Sequence, residues 1–167
     1  MACYITSGAT KTCGFNFGGI NKVWLGNFDQ LSGVTRNAGG EVTAFTATAL
    51  YEFEAVEDTS SLVEALTRNG SSLYVKQTLN FQLNAPTQAK IKVLNDLVNA
   101  WLFAVIQVSD GTYFLVGDTG RGLRAIDGTQ LATGAAQGDP YGITVILEGG
   151  TLGYADTVSA SAVASNI

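Results

Sequence analysis

Histidine is absent from this chain of 167 residues. Its absence removes the commonest general base and the commonest metal ligand together, which argues against an enzyme. Cysteine is almost as scarce, with only Cys3 and Cys13. Two thiols cannot complete a structural zinc site, which takes about four ligands. They stand either as a reduced pair or as a disulfide closing a short loop. Charge is thin as well. Asp, Glu, Lys and Arg make up 14% of the residues, against roughly 25% in ordinary globular proteins. Thr, Ser, Asn, Gln and Gly take their place. Such a skin suits a surface covered by partners, and equally a Thr/Ser-rich β-protein of a secreted or viral kind. The net charge of −5 leaves no basic footprint for general nucleic-acid binding. Long apolar runs are missing too. The longest, near residues 98–108, is too short to cross a bilayer and carries Asn99 and Gln107. The opening MACYITSGAT lacks the basic and apolar regions of a signal peptide. A soluble chain, kept in the cytoplasm until assembled, is the expectation.

What is present is β-pattern. In residues 74–83, Val75, Gln77, Leu79, Phe81 and Leu83 alternate with Tyr74, Lys76, Thr78, Asn80 and Gln82, the period of a half-buried strand. Pro86 opens a helical stretch in which Ile91, Leu94, Leu97, Val98 and Trp101 recur on one face. LFAVIQV and TYFLVG follow, joined by Asp110-Gly111, a hairpin turn pair. Residues 20–28 read as a strand covered on both faces. Residues 29–40 read as a loop. Residues 42–56 read as one long strand, with Phe45, Ala47, Ala49, Tyr51, Phe53 and Ala55 towards a core and Thr46, Thr48, Glu52 and Glu54 towards water. Residues 57–72 lean to a strand that Asn69-Gly70 folds back. Residues 141–147 read as a strand turned by Gly149-Gly150. Residues 153–167 read as a last edge strand or docking tail. The expected fold is mainly β: two packed antiparallel sheets, sandwich- or barrel-like, with one flanking α-helix near residues 86–101. One domain is expected over 1–167, with arms at 1–19 and 153–167.

No constellation spells out a reaction. Glu52 and Glu54 sit two residues apart, but paired catalytic carboxylates usually come from different strands across a cleft, so a solvated acidic face explains them better. Gly117-Asp118-Thr119-Gly120-Arg121-Gly122 has neither the Lys-Ser/Thr nor the following helix of a phosphate loop. Its single Asp-Thr-Gly lacks the second carboxylate that an aspartic protease needs. Trp24 and Trp101 read as core fillers. Between residues 41 and 64 there are six acids and no Lys or Arg, so one region is locally anionic.

The strand, single helix, strand, Asp-Gly turn and strand of residues 74–117 resemble the central part of bacteriophage tail tube proteins. The opening is similar to structural proteins of Bacteroidetes phages, in Cys13-Gly14, then Gly18-Gly19-Ile20, then an aromatic-aliphatic strand ending in Asn27-x-Asp29. The resemblance covers about half of the chain. It implies a structural virion protein rather than an enzyme, with no cofactor and no metal. Such subunits form hexameric rings that stack into a hollow tube, so the implied partners are copies of the same chain and other tail proteins, with DNA passing without specific binding and no membrane. The implied location is the virion tail, assembled in the host cytoplasm. On this reading Thr46, Thr48, Glu52 and Glu54 are candidates to face the lumen, where carboxylates would repel phosphate. Glu57, Asp58, Leu62, Leu66 and Arg68 are candidates for contact between rings. Another virion component (a decoration or tail-terminator protein), a small-molecule-binding β-barrel and, last, a carboxylate hydrolase are the other readings.

Overall fold

The computed structural model of the chain describes residues 18–137, 139 and 141–167. Cys3, Cys13 and nearly all of the expected N-terminal arm lie outside them. Twelve strands are described: β1 Ile20–Asn27, β2 Leu31–Arg36, β3 Val42–Ala47, β4 Tyr51–Phe53, β5 Ser61–Asn69, β6 Ser72–Asn84, β7 Leu102–Val108, β8 Tyr113–Val116, β9 Arg124–Ala125, β10 Gln130–Ala132, β11 Gly142–Thr151 and β12 Asp156–Val158. The helices are α1 Gln88–Val98 and α2 Ala160–Ala164. The fold is mainly β, with two packed sheets. One has seven strands in the order β2-β3-β12-β8-β7-β1-β4; the other has five, four of them in the order β10-β11-β6-β5 and the fifth, β9, paired with β11.

The alternation in residues 74–83 holds throughout β6. Val75, Gln77, Leu79, Phe81 and Leu83 are all buried. Across the gap Leu79, Phe81 and Leu83 meet Val23 and Leu25 of β1, Ile106 of β7 and Val116 of β8, and Val145 and Leu147 of β11 complete this core. Leu79 and Phe81 are wholly enclosed, each worth roughly 1.5–3 kcal/mol of burial. The β7–β8 and β5–β6 hairpins form at Asp110-Gly111 and Asn69-Gly70, with Gly111 and Gly70 in the left-handed region.

The seven-stranded sheet is covered on its other face as well. Trp24, Phe103, Val105 and Leu115 project there into a second core with Val42, Phe45, Val158 and Val163. Chain connectivity explains how. Only residues 48–50 join β3 to β4, though β12, β8, β7 and β1 lie between them in the sheet. Five strand spacings across a flat sheet are about 24 Å, whereas four Cα steps reach at most about 15 Å. The sheet therefore curls, bringing β2 and β3 back over β1 and β7. Helix α2, capped at Ser159, closes the same pocket from the chain's end.

Several expectations change. Residues 42–56 are two strands with a break at Thr48–Leu50, and the curl above is what requires it. Residues 31–36 are a strand rather than loop. Gly149-Gly150 does not turn β11, which runs through to Thr151. A Cβ on Gly149 would collide with the carbonyl of Gly122, so this glycine permits close backbone approach. Within 153–167, the strand expected at an edge is β12, which lies inside the sheet, between β3 and β8. Helix α1 starts at Gln88, with Thr87 as N-cap and Pro86 just outside it. Of its expected apolar face only Leu97 is buried, Ile91 and Leu94 are half-buried and Val98 is exposed. Trp101 lies outside the core, 42% exposed, with the Arg124 guanidinium 5.7 Å from its ring.

The 117–122 loop is a structural tether. Arg36 on β2 is held between Asp118 of that loop and Asp156 of β12, whose Oδ2 lies 2.6 Å from Nε. Burial pushes the Asp118 carboxyl above the ordinary aspartate range, outweighing the pull of the Arg36 guanidinium. The folded chain then holds this proton more tightly than the unfolded chain does. The associated stability is complete below the unfolded pKa and is lost as pH rises through the folded one. Asp118→Asn, which stays neutral, is expected to gain on the wild type in Tm as pH is raised from the ordinary aspartate range to neutrality. A Tm difference that does not change with pH would contradict this.

Candidate assembly surface

β5 is an edge strand of nine residues, paired on one side with β6 and, among the described residues, open on the other. A long, unblocked edge of this kind is a template for strand addition. The β5–β6 hairpin is also longer than the sheet beside it. β11 begins pairing with β6 only at Val75, opposite Thr151, so among the described residues Ser72, Leu73 and Tyr74 have β5 alone as a strand partner. The hairpin tip projects past the sandwich.

That projection strands core-facing side chains. By register Leu66 lies opposite Val75, and Arg68 opposite Leu73. Leu66 and Leu73 thus continue the buried face of β6, yet they are 58% and 53% exposed because no opposing sheet among the described residues reaches them. The link from β11 to β12 passes close by. Thr151 pairs with Val75, and the Ala155 N–H donates to Glu64 Oε1 at 2.7 Å. Leu152 and Tyr154 on this link are 85% and 58% exposed. An apolar cluster at one pole, left open where a core face overruns its cover, has the character of an interaction site.

A buried polar knot holds the base of the tip. Gln77, 1% exposed, donates from Nε2 to Glu64 Oε1 at 2.6 Å. Its Oε1 accepts from the Gly117 N–H at 2.9 Å. One amide thereby joins β5 and β6 to the end of β8 and, through Glu64, to the entry of β12.

At the opposite pole lies a cleft of about 760 Å³ between α1 and β4. Leu25, Leu83, Leu94, Leu97, Leu102 and Ile143 line its apolar floor. Glu52, Glu54 and Asp96 stand among its walls. Lys22 pairs with Glu52 at 3.1 Å, and Lys90 donates to the Asn84 carbonyl at 2.6 Å. Glu54 and Asp96 have no ion-pair partner among the described residues.

The residues singled out from sequence fall as follows. Thr46 is on β3 and Thr48 in the bend after it. Glu52 is on β4 opposite Trp24 and so shares the face that Trp24 buries, whereas Thr46 alternates with buried Phe45 and points the other way. These four residues do not form one strand face. Glu57 and Asp58 occupy a turn in which Asp58 takes φ +58°, and Leu62 packs partly into the core. Leu66 and Arg68 are brought together on the tip. Sequence reading missed Leu73, Leu152 and Tyr154, for alternation gives no sign of where an opposing sheet ends. Among the described residues no cluster of Cys, Asp and Glu is arranged to hold a metal ion, and no helix is long and apolar enough to cross a membrane. The chain matches no protein-family model, no curated protein and no solved structure.

Proposed function

We propose that this chain is a structural, self-assembling subunit, of the kind that builds the tail tube of a bacteriophage from stacked, six-membered rings. The observation that carries this reading is the overhanging hairpin, whose edge is open and whose Leu66 and Leu73 are exposed among the described residues. The low charge fits a skin largely covered by neighbours. The outward face of the five-stranded sheet suits the wall of a passage for DNA. Thr78, Asn80, Gln82 and Thr144 share it by register, and its Lys76 is neutralised by Glu148 at 2.8 Å. A surface of hydroxyls and amides with a compensated ion pair offers phosphate no net attraction. On this reading other virion proteins would be further partners.

Electron microscopy of the purified chain tests the proposal. Rings or tubes of constant diameter are the expected result. Uniform monomers at high concentration would overturn it. The 760 Å³ cleft supports a second reading, a small-molecule carrier, because its volume lies within the roughly 300–1,000 Å³ typical of ligand sites. Monomers retaining an apolar compound through purification would favour that reading.

A further inference from the structure

We infer that the β5–β6 hairpin tip of one copy seats in the α1–β4 cleft of the next. The inference rests on the assembly reading above and names the contact that joins successive rings. Tip and cleft lie at opposite ends of the same strand: the tip is at Ser72 of β6, while Leu83 and Asn84, at its far end, line the cleft. Twelve strand steps separate them, about 40 Å. A chain therefore cannot fill its own cleft with its own tip, whereas a second copy displaced along β6 can.

Their chemistry is complementary. The tip offers Leu66 and Leu73 around one cation, Arg68, which has no carboxylate partner among the described residues. The cleft offers an apolar floor for the leucines. On its walls are two uncommitted carboxylates, Glu54 and Asp96, for the guanidinium. Of the other charged groups there, Glu52 is taken by Lys22, and Lys90 is turned to the Asn84 carbonyl. A planar, five-donor guanidinium is well suited to such a pair of acceptors. Because tip and cleft are different surfaces, the contact is heterologous. It leaves a free tip at one end and a free cleft at the other, so it propagates instead of closing a dimer.

Covalent trapping tests the contact in the full-length chain. In a background of Cys3→Ser and Cys13→Ser, Leu66→Cys on the tip is combined with Val93→Cys at the cleft, and a short bismaleimide is added to the assembled protein. Both positions are exposed, so neither change disturbs a core. The expected product is a ladder of dimers, trimers and longer species from the double variant, and none from either single variant. Dimers from Leu66→Cys alone would mean that tips meet tips, overturning the inference. Rings or tubes that give no ladder would overturn it while leaving the assembly reading intact. A chain that stays monomeric removes both. Independently, Arg68→Glu is expected to weaken stacking about tenfold at low salt, and Glu54→Arg or Asp96→Arg in the same chain to restore it. If neither restores it, the proposed pairing is wrong.

Discussion

Gly122→Ala is expected to destabilise the fold by about 2–5 kcal/mol, combining roughly 1–2 for left-handed backbone with 1–3 for overpacking. Gly122 has φ +76°, and a Cβ there would stand 2.6 Å from the Leu102 carbonyl oxygen and 2.8 Å from the Phe28 ring. Backbone cannot rotate out of the way as a side chain can. The loop would lift, opening the paired hydrogen bonds between Leu102 and Leu123, one of which spans 2.8 Å. Leu123, fully buried, would lose its seat. Gly111→Ala provides the control. Gly111 has φ +90°, but nothing among the described residues lies within 4 Å of the place its methyl would take, so it carries the conformational cost without the collision. In urea titrations Gly122→Ala should lose clearly more than Gly111→Ala. Equal losses would show that close approach contributes nothing.

Gln77→Leu is expected to cost about 2–4 kcal/mol despite similar volume and greater apolarity, since it orphans buried hydrogen-bonding groups. The Gly117 N–H loses its acceptor, and Glu64 keeps only the Ala155 N–H from the knot. A double-mutant cycle separates this from a packing defect. Glu64→Leu with Gln77→Leu should cost less than the sum of the single changes, because each change removes the one hydrogen bond that the two side chains share. Additive losses would place the cost in packing. The knot also joins the base of the tip to β8, so on the proposed assembly reading the same variant should assemble poorly even under conditions where it remains folded.

Much of the fold was legible because its cues are local. The alternation of Val75 to Leu83, the hairpin glycines Gly70 and Gly111 and the helical spacing after Pro86 each act within a few residues, and each marks its element in the structure. The candidate surface was legible only in part. Leu66 and Arg68 could be named from a strand leading into a turn. Their partners on the tip, and the cleft at the far pole, could not, for they depend on residues distant in sequence.

The sequence by itself determined the long central strands, the principal hairpins and the identity of the main buried face, since backbone geometry imposes a period of two on any half-buried strand. Only the tertiary structure decided that residues 42–56 break, that β12 enters the sheet between β3 and β8, and that Leu66 and Leu73 overrun their cover. Alternation states which side of a strand is apolar. Whether that side is covered depends on how far the facing sheet extends, and that is set by chain connectivity and the curl of the seven-stranded sheet.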